Sequence, residues 1–264
     1  MGKTNLKEKL YHLTGAIVTY NNNEDDLSKA INSFLDSNLK VKLYIYDNSP
    51  INKIKLLCND ERIEYIFSES NIGFGAGHNK IIEKVKEDSN YHLVLNPDVK
   101  FDGSIFEELL DYMEKNGKVG LIMPKILNSD GSIQYLPKLI PSPLSIIKRK
   151  LAVSSKLRKT FLNKYELRKW DVETPVFVPI ISGCFSLFRT SVFEEIKGYD
   201  ENFFMYFEDF DISRRISRNW DTIYYPYVSI IHNYERGASK SKKLFKIFIG
   251  SCFYYFNKWG WLFD

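Results

Sequence analysis

The chain has 264 residues, 44% of them hydrophobic and 27% charged, and a net charge of +4. That length and apolar content can bury a large core and exclude an intrinsically disordered chain, and no repeat or low-complexity tract points to a solenoid. The charge is uneven: between Lys138 and Lys169 ten Lys or Arg meet one acid, Glu166, giving +9 against −5 for the remainder, a pattern suited to an anionic partner surface or to a solvated basic helix.

In chain order, TGAIVTY (14–20) reads as a buried strand, and Leu27, Ala30, Ile31, Phe34 and Leu35 then recur at helical spacing. VKLYIYD (41–47) is the next strand, INKIKLLC (51–58) a short helix and IEYIFS (63–68) a third strand. NIGFGAGHN (71–79) opens a helix running to about Asp88, YHLVLN (91–96) is a fourth strand, SIFEELLDYMEKN (104–116) a helix and VGLIMP (119–124) a fifth strand. This alternation predicts a parallel sheet covered by helices. Ligands bind such sheets at the carboxyl ends of the strands, which singles out Thr19-Tyr20-Asn21, Asp47-Asn48-Ser49, Asn71 to Asn79 and Asn96-Pro97-Asp98.

The second half is less regular. A turn at Asp130-Gly131 joins two extended pieces and the basic stretch follows. PVFVPIISGCFSLFR (175–189) reads as strand, turn at Ser182-Gly183, strand, with a short helix near Thr190–Ile196. Ile212, Ile216 and Trp220 repeat every four residues, so a helix is expected from about Glu208 with its acids in the first turn, where the macrodipole favours them. From Lys240 the tail mixes Lys with Phe and Tyr. We expect residues 1–235 to form one domain with a basic insertion at about 138–170, and 236–264 to form an amphipathic helical extension.

Cys58, Cys184 and Cys252 lie far apart with no C-x-x-C pair, which argues against a disulfide framework or a structural zinc site and suits a reducing cytoplasm. The polar opening MGKTNLKEKLYHL is not expected to act as a secretory signal, and no apolar run reaches bilayer length.

Chemistry concentrates in a few places. In LNPD, Pro97 ends the strand and Asp98 is presented on the turn, either to hold a divalent cation that binds a diphosphate or as a plain turn residue. In YDNS, Asp47 can accept from the imide N–H of a pyrimidine or simply shape a turn. The glycines at 73, 75 and 77 let a backbone approach a ligand closely but do not spell the dinucleotide fingerprint. FMYFEDFDISRR (204–215) sets Glu208, Asp209 and Asp211 among aromatic rings, where a general base beside a sugar hydroxyl would be held rigidly, or where acids cap a helix and pair with Arg214 and Arg215.

These motifs, with ISGCFSLFRTSVFEEIKGYDENFFMYFEDFDISRR and a late IIHNYERGAS, resemble the inverting family-two glycosyltransferases, in particular bacterial rhamnosyltransferase-like members, from about Gly15 to His232. The resemblance implies an α/β, A-type glycosyltransferase fold, with a Rossmann-like, mostly parallel sheet flanked by helices and a C-terminal helical extension. It also implies that Asp209 is the catalytic base. Thr19, Tyr20, Asn21, Asp47, Asn71, Gly73, Gly75, Asn79 and Asn96 would line the nucleotide-sugar donor. Asp98, with His232, would hold Mg²⁺ or Mn²⁺, and Gly183, Tyr206, Phe207 and Glu208 would meet the acceptor. Asn96 replaces the first Asp of the family's usual Asp-x-Asp metal motif. The implied donor is dTDP-rhamnose first and a UDP-hexose second, and the implied acceptor is a lipid-linked glycan hydroxyl in cell-surface polysaccharide synthesis. The expected location is cytoplasmic, peripheral on the inner face of an anionic membrane, with no nucleic-acid partner and with a homodimer as a further option for the tail. Competing classes are a non-catalytic nucleotide-sugar-binding subunit and a nucleotidyltransferase.

Overall fold

The computed structural model describes residues 9–150, 155–168, 172–233 and 241–261, so the opening segment, parts of the basic stretch and the end of IIHNYERGAS lie outside the described residues. Four strands, β1 (Leu13–Thr19), β2 (Val41–Asp47), β3 (Ile63–Phe67) and β4 (Tyr91–Leu95), pair in parallel in the order β3-β2-β1-β4. All seven residues of β1 are buried, as expected of a parallel strand covered on both faces. Helix α1 (Glu24–Leu35) starts at Asn23, whose side chain accepts from the N–H groups of Asp25 and Asp26, and it buries Leu27, Ala30, Ile31 and Phe34. Helices α2 (Phe74–Val85) and α3 (Ile105–Lys115) follow, and the expected helix at 51–58 is a 3₁₀ turn over Lys53–Leu57.

Beyond β4 the order of elements is β5 (Val99–Lys100), β6 (Val119–Leu127), α4 (Pro143–Lys150), α5 (Ser155–Tyr165), β7 (Val176–Phe177) and β8 (Phe185–Arg189). Then come α6 (Thr190–Glu195), α7 (Glu208–Ile216), β9 (Asp221–His232) and α8 (Lys242–Trp259). The sheet continues β4-β8-β6-β9-β5, with β7 also on β9, and this half is mixed. β8 runs antiparallel to β4 and β6, β5 and β7 run antiparallel to β9, and only β6 and β9 are parallel. The stretch 175–189 is therefore not a hairpin, because β7 pairs with β9 and β8 with β4.

This reversal positions the site. β4 runs toward the ligand edge, and Phe185 at the start of β8 lies opposite Leu95 at the end of β4. The Ser182–Cys184 turn therefore arrives at the same edge as Asn96 and Asp98. β9 carries Pro226, which has no N–H to give a ladder, and the register against β6 jumps from Tyr225 to Ser229. The strand then ends with His232 opposite Val99.

A second apolar cluster lies apart from the sheet core and gathers Ile146, Ile180, Phe203, Phe207, Phe210, Tyr255 and Phe256. The C-terminal helix is thus built into the body. Lys258 Nζ and Trp259 Nε1 both reach the buried Asp211 Oδ1, at 2.7 and 2.9 Å. Arg215 pairs with the same carboxylate at 2.8 Å, so this acid of the motif is structural.

Candidate active site

The strand-end loops lean on one another. Asp47 is fully buried, and its carboxylate accepts from the Thr19 hydroxyl at 3.1 Å, the Ser49 N–H at 2.9 Å and the Tyr65 hydroxyl at 2.7 Å. Thr19 is itself buried and acts through Asp47, whereas Tyr20 is exposed. Asn21 takes the left-handed conformation and donates its N–H to Ser49 Oγ at 2.8 Å.

Asn48 ties this corner to the glycine loop. Its amide donates to the Gly73 carbonyl at 3.2 Å and accepts from Ile72 N–H at 3.3 Å, while Asn71 Oδ1 accepts from Gly73 N–H at 3.0 Å. Gly73 has φ +97°, and a Cβ there would collide with the Phe204 carbonyl oxygen, so glycine is required by conformation and by space. The Phe204 carbonyl also accepts from Phe74 N–H at 3.0 Å. The loop and the acidic aromatic segment are therefore one joined surface.

Two loop residues do other work than expected. A Cβ on Gly75 would press on Tyr199, and the Asn79 amide is taken by both backbone groups of Tyr199, at 2.8 and 2.9 Å, and by Glu201 at 3.0 Å. Their placement pins the Gly198–Tyr199 turn.

At the end of β4, Asn96 is half-buried and donates its N–H to the Cys184 carbonyl at 2.9 Å. Two residues on, Asp98 Oδ1 is buried, accepts no hydrogen bond and lies 3.4 Å from His232 Nε2. Burial opposes charge on His232, yet Cys184 and Asp98 beside it raise the imidazole to about 10. A carboxylate oxygen and an imidazole nitrogen converging at a strand end form a donor set that suits Mg²⁺ or Mn²⁺ once the cation has displaced the proton from that nitrogen. Among the described residues no cluster of three His, Cys, Asp or Glu could hold a metal, so the other positions would fall to water and a diphosphate. His78 and His92 are wholly buried, and burial lowers both, so neither competes for this role.

The third component is the start of α7. Tyr206 and Phe207 both have positive φ, 71° and 67°, a left-handed pair costing of order 1–3 kcal/mol each that surrounding packing must enforce. Phe207 supplies that packing: it is 3% exposed and its ring lies against Phe210, Phe248, Tyr255 and Phe256. The expectation that Phe207 faces an acceptor is thus corrected, because it is a core residue, as is Phe203. Tyr206 stays half-buried with its ring 5.7 Å from that of Phe248.

The kinked backbone delivers the two acids. Asp209 is half-buried and accepts from Phe210 N–H at 2.9 Å and from the Gly183 N–H. Burial raises its pKa, and the nearby Lys138 cation and the two N–H groups pull the other way. Glu208 is buried with Oε2 accepting no hydrogen bond, and burial plus the Asp209 charge raise it to about 8.

Gly183 and Cys184 join the halves of the site. A Cβ on Gly183 would lie 3.6 Å from Asp209 Cβ, while the Cys184 carbonyl holds Asn96 and its side chain lies near enough to His232 to raise the imidazole. The base candidate and one of the metal candidates thus neighbour consecutive residues of one turn. Sequence reading missed two neighbours. Lys138, counted only as part of the basic stretch, is 6% exposed and donates its ammonium to the Leu136 carbonyl at 2.9 Å. Gln134 contacts His232 twice. Neither carries a signal in spacing or composition that could have found it.

A mixed sheet with acids at its ligand edge, opened by a strand-end Asp and closed by a helix-start Asp, defines an A-type glycosyltransferase fold. Residues 16–197 match the family model "Glycosyl transferase family 2", and the chain belongs to that family. It is 27% identical over 175 residues to N-acetylglucosaminyl-diphospho-decaprenol L-rhamnosyltransferase of Mycobacterium tuberculosis, covering 62% of this chain and 56% of that one, little more than half the relative's length. It is 26% identical over 251 residues to rhamnosyltransferase WbbL of Escherichia coli K12, covering 90% of each. Among solved structures, GalNAc-T7 with UDP, GalNAc and Mn²⁺ superposes with a TM-score of 0.64 at 15% identity, over 86% of this chain and 44% of that one.

Proposed function

We propose that this member of glycosyl transferase family 2 is an inverting transferase that moves L-rhamnose from dTDP-rhamnose to a hydroxyl of a lipid-linked glycan. The observation that carries the reading is the Gly183–Cys184 turn, whose first residue abuts Asp209 and whose second holds Asn96 and lies beside His232. This supports a proton acceptor and a diphosphate-binding corner on either side of one short segment. The names of the two relatives support the choice of rhamnose.

In this reading Asp209 accepts the acceptor's hydroxyl proton as that oxygen bonds to the anomeric carbon. The bond from that carbon to the diphosphate oxygen breaks on the opposite face, its electron pair leaves with the nucleoside diphosphate, and configuration inverts. The raised pKa of Asp209 makes it a stronger base than an ordinary carboxylate. Asp98 and His232 would hold a Mg²⁺ or Mn²⁺ ion, which, when bound, neutralises charge growing on the departing diphosphate. Asp47 meets the pyrimidine, Asn71 and Gly73 flank the ribose and diphosphate, and Gly183, Tyr206 and Glu208 border the acceptor.

Docking on an anionic membrane face is part of the same proposal. Phe245, Ile249 and Phe253 are exposed at four-residue intervals along α8, next to exposed Lys242, Lys243 and Lys246, the chemistry of an interfacial helix. Among the described residues no helix is long and apolar enough to cross a membrane. Sedimentation with phosphatidylglycerol vesicles but not phosphatidylcholine vesicles is expected, and equal recovery in both supernatants would refute the docking.

The test of the enzyme reading is Asp209→Asn assayed with a panel of nucleotide sugars and a polyprenyl-diphosphate-linked sugar acceptor. Transfer should fall about 10²–10⁴-fold while nucleotide-sugar affinity changes little. A wild-type chain that binds a donor without transferring, or a variant that transfers normally, would refute it.

A further inference from the structure

Gln134 lies in the extended segment after the Asp130-Gly131 turn, far from any motif. Its backbone N–H donates to the Ile126 carbonyl of β6 at 2.8 Å, and the preceding Ile133 bridges to Leu127, so the residue is fixed against the sheet. Its amide makes two contacts with one residue. Nε2 donates to the His232 carbonyl oxygen at 2.7 Å, and Oε1 lies 3.0 Å from His232 Nδ1.

These two contacts require a hydrogen on one particular ring nitrogen. A carbonyl oxygen can only accept, so the NH₂ end of Gln134 must face it and Oε1 must face the ring. An amide oxygen can also only accept, so Nδ1 must be the protonated nitrogen. The other nitrogen, Nε2, is the one turned toward Asp98 Oδ1 at 3.4 Å. A cation can take the Nε2 lone pair only as that nitrogen gives up its proton, and a ring that donates from Nδ1 to a fixed acceptor keeps its remaining hydrogen on the side away from the cation.

We propose that Gln134 is a positioning residue that holds His232 in the Nδ1–H form, with Nε2 as its cation-binding nitrogen beside Asp98. This rests on the reading that Asp98 and His232 hold the ion. The specific amide geometry matters because the backbone carbonyl of the same histidine dictates the orientation of the amide, and the amide then dictates the tautomer. Lys or Arg at this position would offer only donors and would set the opposite tautomer.

The probe is Mn²⁺ on the full-length chain, read by titration and by pulsed electron paramagnetic resonance for ¹⁴N coupling from a bound imidazole. His232→Ala should lose the nitrogen coupling. Gln134→Leu, with melting temperature as a folding check, should weaken Mn²⁺ binding about ten- to a hundred-fold and lose or reduce that coupling. If Gln134→Leu is folded and binds Mn²⁺ with unchanged affinity and coupling, the positioning role is overturned. If His232→Ala also binds as the wild type does, the metal reading itself fails, which separates the two ideas. A measurement on the unaltered protein covers the case of an unfolded variant. ¹⁵N spectra of the Mg²⁺-loaded chain should show His232 protonated at Nδ1 and not at Nε2, and the reverse pattern would overturn the proposal.

Discussion

His232 Nε2 lies 3.4 Å from Asp98 Oδ1, brought there by the antiparallel pairing of β5 with β9. The two residues are far apart in sequence, and the two-residue strand Val99–Lys100 is what closes the distance. One acid and one imidazole bind a divalent ion weakly by themselves, and a diphosphate supplies further oxygen ligands. We expect Mn²⁺ and the nucleoside diphosphate to strengthen each other's binding. Chelation with EDTA should reduce transfer at least a hundred-fold, added Mn²⁺ should restore it, and Asp98→Asn should behave like chelation. Full activity in EDTA would refute this.

Asp47 and Tyr65 lead to a second expectation. The Tyr65 hydroxyl donates to Asp47 Oδ2 at 2.7 Å, and the carboxylate has no exposure of its own. A pyrimidine imide that reads Asp47 must displace that hydroxyl. Tyr65→Phe removes the competitor and leaves an acceptor waiting, so nucleoside diphosphate binding by calorimetry should tighten about five-fold, the equivalent of about 1 kcal/mol. Asp47→Ala should weaken it instead. Weaker binding by Tyr65→Phe would show that the tyrosine helps to hold the nucleotide.

Lys138 should govern the acid limb of activity. Its cation lowers the pKa of Asp209 against the upward push of burial. Lys138→Met removes the opposing charge, so the carboxyl should rise further and stay protonated to higher pH. A base must be deprotonated to work, so the fall of kcat/KM on acidification should begin at a higher pH in the variant. An unmoved limb would separate Lys138 from the base.

Much of the nucleotide half was legible because its strands and helices follow simple periods. β1 to β4 and α1 to α3 lie close to where their apolar spacing puts them, and Glu208 does open a helix. The second half was less so, for three physical reasons. β9 holds a proline and a register jump, so no period of two survives. β5 is two residues long and exists through its partner. Phe207 looked like a sugar platform because it adjoins acids. Its true neighbours, Phe248, Tyr255 and Phe256, sit more than forty residues later on α8, and local sequence cannot disclose such contacts. Asp209 stands out in the sequence because its helix start is local, while Gln134 and Lys138 make their contacts across separate segments of the chain.

Glu208 links the site to stability. Its carboxyl is buried, Oε2 has no hydrogen-bond partner, and burial with the adjacent Asp209 charge raises it from 4.5 to about 8. Between those two pH values the unfolded chain loses this proton while the folded chain keeps it. The unfolded state therefore binds fewer protons, and stability must fall as pH rises through the window. The contribution is fully present below about 4.5 and absent above about 8. Glu208→Gln, neutral at every pH and close in shape, should remove this slope. The difference in urea midpoint between variant and wild type should grow in the variant's favour from pH 4.5 to 8 and then level off. A constant difference across that range would mean that Glu208 titrates as an ordinary carboxylate in the folded chain.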